Sequence, residues 1–496
     1  MIAVANLALW ARTVAILHQD NTSFIANVSS SCPGCDTWNV KYLGVMNTID
    51  DCIAACKNYT AKPPVATVLS QCRALTFFAS DGSDPWAGGC YARIDGQAPA
   101  TARVNATSAT LPFAPCASDD DCNLNGVCDR ATGACACDAQ WRGDDCGVLA
   151  LEPATKGTGY QREGFSQWGG NPFLHADGKY YVIATEMTNG CTIGYFMTNS
   201  RIVLARSDAG PQGPYSFVQE LLPVFAHAPH TWRGPDGALY FVHEGRNHTV
   251  PPQNQSVCNG ADDEPPPPPS SRRRRLQPTN AECTGVMFLR SANGSPFGPW
   301  ETRMLYFPNA TDAGNEWATL GVDNPALLVL RNRTGALLAF RSCSAPEFAG
   351  VARSFVPRPG GDEWWADRNA TPAFSAVSAD PIFQQFNNED PFMWQDRRGH
   401  FHALWHFQDD GCPGCGGHSF SRDGAAWRWS ATLAYTETIA WSDGTRTTMN
   451  GRERPGLILD NATWSVPQFL TSAVTVPGNS GRSYLHIQPI AGRHNE

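Results

Sequence analysis

A short motif that could carry acid and base chemistry recurs along the second half of the chain. In each copy a Pro opens an apolar strand, and the copies begin at Asn171-Pro172, Ala228-Pro229, Asn324-Pro325, Asp390-Pro391 and Arg454-Pro455. The residues immediately before these pairs are Gly170, His227, Asp323, Glu389 and Glu453. Carboxyl groups confined together raise one another's pKa and cost stability, so a structural role does not require them. If folding brings the copies together, these positions are candidate functional residues.

The spacing of the motif predicts the fold. Successive prolines are 57, 96, 66 and 64 residues apart, and the long interval holds a low-complexity insert at 251–280. Four short strands per repeat, in five repeats without helical periodicity, predict a mainly β chain with a five-bladed β-propeller over 150–480 and a C-terminal tail at 481–496. The first strand of each blade lines the central channel of a propeller. The residues at the five motifs should therefore converge on one funnel.

Composition and charge exclude several classes of protein. The chain has 496 residues, a net charge of -9 and one basic run, Arg272 to Arg275, which argues against nucleic-acid binding. The basic run is either a protease target or part of a solvated insert. Hydrophobic residues make up 42% of the chain and charged residues 17%, which indicates a folded protein.

Cysteines and glycosylation motifs predict a secreted or cell-surface glycoprotein. The 18 cysteines fall into even groups along the chain, as expected for oxidised pairs, and Cys258 and Cys283 near the ends of the insert are expected in disulfides. Asn-x-Ser/Thr motifs stand at Asn21, Asn27, Asn58, Asn105, Asn247, Asn254, Asn293, Asn309, Asn332, Asn369 and Asn461. Residues 1–30 contain an apolar stretch interrupted by Arg12, which is either a leader or the mark of a truncated gene start. The sequence predicts no membrane span.

Residues 31–112 predict a small disulfide-rich module. Thr48 and Asp51 make a helix start, after which Cys52 and Cys56 share one helical face, and two strands follow. Over Cys32 to Ile94 this segment resembles the PAN/Apple module, whose members bind proteins or glycans. A structural spacer is the alternative role.

Residues 113–149 contain six closely spaced cysteines. They are Cys116, Cys122, Cys128, Cys135, Cys137 and Cys146, with Trp141 and Gly143 inside the last loop. This segment resembles an EGF-like domain, and the resemblance implies the pairs Cys116–Cys128, Cys122–Cys135 and Cys137–Cys146. The calcium signature of some EGF-like domains is not evident, so no calcium is expected.

Over residues 160–475 the repeat resembles glycoside hydrolase family 43 and its relatives. The resemblance rests on Ala228-Pro229 with Gly237-Ala-Leu-Tyr, and on Glu389-Asp390-Pro391 with Gly399-His-Phe-His. It implies inverting hydrolysis of glycosidic bonds by a base in blade one, a pKa-tuning Asp in blade three and an acid in blade four. Glu389 falls at the acid position. The base and tuning positions hold Asn171 and Asn324, and an amide cannot act as a base.

Two functions remain open at this point. Asp390, Asp323 or Glu453 could supply the base of a secreted, inverting glycoside hydrolase, or the protein could be a non-catalytic carbohydrate-binding or adhesion protein. Asn171, Asn324, His227, Arg454 and Trp168 are expected to bind sugar in either case. The expected partners are an oligo- or polysaccharide and, through the small modules, a cell-surface or matrix protein. No cofactor is predicted, and a channel cation is left open.

A few other residues have two readings. Cys412, Cys415 and His418 have the spacing of half a zinc site, but a disulfide is favoured because no second pair follows in the domain. His402 and His406 are predicted to be ordinary strand residues. Glu186 and Glu244 are reserve carboxylates, that is, further candidates for the acid–base site.

Overall fold

The structure is a computed structural model of the chain, and it describes residues 15–17, 40–45, 47–57, 74–78, 89–93, 106–110, 115–245, 255–258, 286–304, 322–332, 335–342, 349–354, 374–376, 388–407, 414–430, 432–478 and 481–492. Predictions for Cys283, Cys412 and the run Arg272 to Arg275 lie outside these residues. The same holds for every glycosylation asparagine except Asn293, Asn332 and Asn461.

Five antiparallel sheets confirm the five-bladed β-propeller. Blade one contains Ser166–Trp168, Phe173–Leu174, Tyr180–Met187, Ser200–Ser207 and Ser216–Leu222. Blade two contains Ala226–Arg233, Leu239–Gly245, Val286–Ser291 and Glu301–Met304. Blade three contains Val322–Val329, Ala336–Ser342, Ala349–Ser354 and Phe374–Ala376. Blade four contains Asn388–Gln395, Phe401–Phe407, Cys415–Ser421 and Trp427–Trp429, followed by a hairpin of Thr438–Ala440 and Arg446–Thr448. Blade five contains Gly451–Leu459, Pro467–Thr475 and Ser483–Pro489.

Apolar side chains on both faces of the middle strands hold neighbouring blades together. In blade one, Val182 packs with Ile458 of blade five, whereas the next residue, Ile183, packs in a cluster with Phe241 of blade two. Successive side chains of a strand point to opposite faces, so one strand serves both interfaces. Each buried apolar side chain of this size contributes about 1.5 to 3 kcal/mol.

The two ends of the propeller chain pair with each other. The backbone N–H of Tyr160 donates to the carbonyl of Leu485 at 2.9 Å, and the N–H of Leu485 donates back at 3.2 Å. The boundary predicted at residue 480 is therefore wrong. Residues Ser483–Pro489, predicted to be part of a tail, form the third strand of blade five and pair with Pro467–Thr475.

The EGF-like segment contains a short 3-10 helix, Asp119–Cys122, and the strands Gly126–Asp129, Ala134–Cys137, Trp141–Arg142 and Val148–Leu149. The three predicted disulfides are confirmed. The segment packs on blade four: Thr432 donates to the Asp145 carboxylate at 2.7 Å, and the rings of Trp141 and His418 lie 4.8 Å apart. It is thus a fixed part of the propeller assembly.

The N-terminal region contains a helix, Ile49–Lys57, and a sheet of Ala15–Leu17, Val40–Val45, Ala74–Phe78, Gly89–Arg93 and Ala106–Thr110. The predicted helix start is confirmed, since Thr48 Oγ1 accepts from the N–H of Asp51 at 3.1 Å and Asp51 accepts from the N–H of Thr48 at 3.1 Å. A disulfide joins Cys52 to Cys90. Assignment to the PAN/Apple class stays a prediction. Among the described residues, no helix combines the length and the apolar character of a membrane span.

Three further cysteines are oxidised. Cys258 forms its disulfide with Cys191 of blade one, and Cys415 is also disulfide-bonded, which agrees with the favoured reading of the Cys-Pro-Gly-Cys segment. Of the described glycosylation asparagines, Asn293 and Asn332 are exposed and Asn461 is partly buried. EGF-like domains with several disulfides are typical of extracellular proteins.

Candidate functional site

The same backbone irregularity opens the innermost strand of blades two to five. The residue before each Pro has a positive φ, namely 53° at Ala228, 49° at Asn324, 53° at Asp390 and 48° at Arg454. The strand pairing shifts register at the same point in every one of these blades. Residues other than Gly rarely adopt this conformation, and bulges of this kind are typical of functional sites. We call the residue with positive φ the second ring position and the residue before it the first ring position.

Blade one follows the same pattern with a different sequence. Trp168 pairs with Thr185 and Phe173 with Tyr181, the register that the other blades have around their bulge. Gly169, with a φ of 65°, therefore holds the second ring position of blade one, and Trp168 holds the first. The sequence-based alignment on Asn171-Pro172 was wrong by two residues.

Asn171 joins two blades. Its Nδ2 donates to the carbonyl of Thr231 at 2.7 Å, and its Oδ1 accepts from the N–H of Thr231 at 2.8 Å. His230 does the same one blade further on, accepting from the N–H of Leu327 at 3.2 Å. The side chain of Asn171 is therefore engaged in blade packing below the ring.

The second ring residues meet across the channel. Asn324 Nδ2 donates to the Asp390 carboxylate at 2.7 Å, and Arg454 forms an ion pair with the same carboxylate. Arg454 also donates to the carbonyl of Ala228 and fills the space where a Cβ on Gly169 would lie, 2.8 Å from its Cγ and Cδ. The predicted convergence on one axis is thus observed, and a glycine is required at 169.

A cluster of acids occupies the blade-four and blade-five side. One ligand atom from each of Glu389, Asp390, His406 and Glu453 lies within 4.8 Å of the others. His406 Nδ1 is 3.0 Å from Glu389 Oε1 and 3.7 Å from Glu453 Oε2. Burial lowers the pKa of His406, but the hydrogen bond to Glu389 and the charges of the three acids outweigh burial and raise this pKa to about 9.

The two first ring carboxylates of this cluster have different partners. Glu389 forms an ion pair with Arg341, which lies across from the ring position of blade three. Glu453 is more exposed than Glu389, with 25% of its side chain accessible. Burial raises its pKa to about 7; the charge of His406 opposes this shift, and the charges of Glu389 and Asp390 add to it. Glu389 thus contacts a cation, whereas burial favours the protonated form of Glu453.

A second acid pair lies between blades two and three. Glu244 is buried and accepts a hydrogen bond from the N–H of Asn324 at 2.6 Å. Burial raises the pKa of Glu244, and the charge of Asp323 adds to the shift. Asp323, which holds the first ring position of blade three, therefore lies close enough to Glu244 for its charge to act on it.

Aromatic side chains occupy the side of blades one and two. Trp168 is 4% exposed and is covered by Ile193 and Phe196. The ring of Phe196 lies 5.0 Å from that of His227, which holds the first ring position of blade two. Burial lowers the pKa of His227 well below its usual value, and the charges of Arg454 and His243 add to this effect, so His227 is neutral at physiological pH.

Arg341 and His406 were not predicted as members of the site, and Glu244 was named only as a reserve carboxylate. Arg341, His406 and Glu244 all lie on second strands, opposite the first ring residues Asp323, Glu389 and His227 respectively. The interpretation of His406 as an ordinary strand residue was therefore wrong. The other reserve acid, Glu186, is buried beside Arg162 and Arg201 at 3.1 and 2.7 Å and belongs to blade one's own packing.

The acid cluster offers oxygen and nitrogen donors of the kind that cations prefer, but its charges are already balanced. Arg341 and Arg454 contact Glu389 and Asp390, and His406 with a pKa of about 9 is protonated at neutral pH. A protonated imidazole cannot bind a metal ion. A metal ion could bind this cluster only if His406 released its proton.

Comparison with known proteins gives one family match. The model of the EGF-like domain family matches residues 116–146. No curated protein matches the chain.

The solved structures with a similar fold include glycoside hydrolases. A family 117 glycoside hydrolase from the marine bacterium Zobellia galactanivorans is 12% identical, with a TM-score of 0.42, over 70% of this chain and 90% of its own. An alpha-L-arabinofuranosidase from Lactobacillus brevis is 10% identical, with a TM-score of 0.38, over 66% of this chain and 92% of its own. A thermostable family-43 glycoside hydrolase is 11% identical, with a TM-score of 0.38, over 70% of this chain and 97% of its own. The sheet order and the EGF-like match define the chain as a five-bladed β-propeller preceded by an EGF-like domain.

Proposed function

We propose that the protein is a secreted glycoside hydrolase whose acid pair is Glu389 and Glu453. The observation that carries this proposal is the contrast between the two side chains. Both lie against the imidazole of His406, at 3.0 and 3.7 Å, yet Glu389 faces Arg341 while burial and nearby acids raise the pKa of Glu453 to about 7. Hydrolysis of a glycosidic bond needs two carboxyl groups in different protonation states.

The spacing supports retention of configuration. One oxygen of Glu389 and one of Glu453 lie within 4.8 Å of each other, and two carboxyl groups with oxygens this close fit the separation of about 5 to 5.5 Å of a retaining pair better than the about 6.5 to 9.5 Å of an inverting pair. In the proposed reaction Glu453 gives its proton to the leaving oxygen while Glu389 bonds to the anomeric carbon. Glu453 then takes a proton from water as that water displaces Glu389. This assignment replaces the expectation that Glu389 is the acid of an inverting enzyme.

Other residues would support this reaction. His406, protonated between the two acids, would hold Glu389 in place and limit repulsion with Glu453. Asp390 is buried and tied to Arg454 and Asn324, so we propose a positioning role for it instead of a direct one.

A second candidate is a non-catalytic carbohydrate-binding or adhesion protein. The family resemblance assigns a base to the ring position of blade one and a pKa-tuning Asp to that of blade three. These two positions hold Gly169 and Asn324, and neither is a carboxylate. Glu389 and Asp390 are each engaged by an arginine. In that case the same mouth would bind sugar without cleaving it.

The location and the partners are part of the proposal. The disulfides, the EGF-like domain and the exposed Asn293 and Asn332 support secretion as a glycoprotein. The EGF-like domain is fixed to blade four, so together with the PAN/Apple-like region it would position the propeller on a cell-surface or matrix protein.

Turnover assays separate the two functions. The purified chain, Glu453→Gln and Glu389→Gln are incubated with short xylo-, arabino- and galacto-oligosaccharides, and products are followed by NMR, which reports the anomeric configuration. We expect turnover with retention in the wild type and a loss of at least about 100-fold in both variants. Glu301→Gln, on the outer strand of blade two with a half-exposed side chain, is the matched control. Binding without any turnover would favour the non-catalytic protein, and an inverted product would refute the assigned roles.

A further inference from the structure

A short rim segment stands over the blade-one side of the mouth. It consists of a 3-10 turn, Ile193–Tyr195, and one helical turn, Phe196–Asn199. These turns lie between the blade-one strands Tyr180–Met187 and Ser200–Ser207. Trp168 pairs with Thr185 near the end of the strand Tyr180–Met187. The rim segment that follows this strand therefore begins at the level of the ring.

The rim segment is anchored from two sides. The disulfide Cys191–Cys258 joins it to the chain that follows the second strand of blade two. Asn199 Nδ2 donates to the carbonyl of Ser256 at 2.9 Å, and Asn199 Oδ1 accepts from the N–H of Ser256 at 3.2 Å. The rim segment is therefore held in place before any ligand arrives, which lowers the entropic cost of binding.

This anchoring presents one aromatic ring at the mouth. Phe196 is partly exposed and rests on Trp168 and Met187, with Phe225 6.4 Å away. Trp168, predicted to stack on sugar, is buried beneath it. Phe196 thus presents an aromatic surface on this side, and the apolar face of a sugar ring is the partner that such a surface takes beside polar groups.

His227 supplies a polar group beside that ring. Its side chain is 4% exposed, and among the residues that the structure describes its Nδ1 has no hydrogen-bond partner. A buried polar atom without a partner costs stability unless a ligand satisfies it. Its neighbours include two rings, Phe196 and Phe225, at 5.0 and 6.5 Å, and it also feels the charges of Arg454 and His243.

We propose that Phe196 and His227 form a sugar-binding subsite on the blade-one and blade-two side of the mouth, in which Phe196 packs on the C–H face of a sugar ring and His227 hydrogen-bonds one of its hydroxyls. This inference rests on the proposed function and names the residues that determine affinity. Trp168, under Phe196, packs with Ala473 of blade five, and Ala473 is the strand partner of Glu453. The subsite thus adjoins the acid pair.

Binding assays test the subsite without requiring turnover. Dissociation constants of short xylo-, arabino- and galacto-oligosaccharides are measured by calorimetry for the wild type and three variants. Phe196→Leu keeps apolar packing on Trp168 but removes the aromatic face, and His227→Phe keeps a ring beside Phe196 but removes both nitrogens. We expect each to weaken binding by about three- to tenfold. Phe297→Ala removes an exposed ring from an outer turn of blade two and should bind as the wild type does.

The outcomes separate this inference from the proposed function. If the wild type binds a sugar and Phe196→Leu and His227→Phe bind it equally well, the subsite is refuted while the acid pair stands. If binding weakens in both variants while wild-type turnover is absent, the subsite stands and the hydrolase proposal fails. If the wild type binds none of these sugars, both are refuted. Melting temperatures of the variants, which should lie close to that of the wild type, show whether a loss of binding comes from misfolding.

Discussion

Replacing Glu453 by Gln should stabilise the protein at mildly alkaline pH and leave it unchanged at acid pH. Burial raises the pKa of Glu453 from 4.5 to about 7 in the folded chain. The folded chain therefore keeps a proton that the unfolded chain releases between these two pH values. The stability contributed by Glu453 is complete below about pH 4.5 and is lost as pH rises through about 7.

The size of the effect follows from the shift. One pKa unit corresponds to about 1.4 kcal/mol, so a rise from 4.5 to about 7 places a cost of about 3 kcal/mol on the ionised side chain above pH 7. The attraction between Glu453 and protonated His406 is already contained in this balance, because it lowers the pKa of Glu453. A neutral Gln carries no such cost, so the variant gains stability relative to the wild type as pH rises from about 4.5, and the gain is complete above about pH 7.

Chemical denaturation at about pH 5 and about pH 8 measures this difference. We expect Glu453→Gln to lie within about 1 kcal/mol of the wild type at the lower pH and to exceed it by about 3 kcal/mol at the higher pH. Glu301→Gln, which changes a half-exposed carboxylate, should show the same stability difference from the wild type at both pH values. If Glu453→Gln gains nothing at about pH 8 relative to about pH 5, Glu453 has no raised pKa and the acid role loses its basis.

Two further substitutions test the ring geometry. Gly169→Ala places a Cβ 2.8 Å from Arg454 carbons at a φ of 65°. We therefore expect the free energy of unfolding to fall by about 1 to 3 kcal/mol. A variant as stable as the wild type would contradict the close approach of Arg454 to Gly169. Asn171→Ala leaves the N–H and the carbonyl of Thr231 without their side-chain partner. We expect this to lower the free energy of unfolding, measured by the same denaturation, by about 1 to 3 kcal/mol for each buried group. A cost near zero would mean that Asn171 does not join the blades.

The propeller was predictable from the sequence because its local signals repeat. Each Pro removes a backbone donor, so within a strand it is tolerated only at an edge or a bulge, and the bulges at Ala228, Asn324, Asp390 and Arg454 supply such places. Blade one broke the pattern because Gly169 adopts positive φ without a following Pro. The nearby Asn171-Pro172 resembled the motif, and only the pairing of Trp168 with Thr185 gives the register.

The composition of the site was harder to predict than its location. First ring residues precede a recognisable motif, whereas Arg341, His406 and Glu244 have no sequence signal of their own. They are members of the site because strand register sets each of them opposite a ring residue, and a shift by one residue would turn each side chain to the other face. The final strand, Ser483–Pro489, was missed because blade five lacks the later strands that mark the other repeats.

The placement of the two arginines decides where chemistry can occur in this funnel. Arg454 lies on the second ring and binds Asp390 and the carbonyl of Ala228, so it joins three blades and neutralises the deeper acid. Arg341 binds Glu389 from the side, and Glu453 receives no arginine among the described contacts. Because unequal charge partners give neighbouring carboxyl groups unequal proton affinities, the pair Glu389 and Glu453 can act as an acid and a carboxylate, whereas Asp390 is committed to holding the blades together.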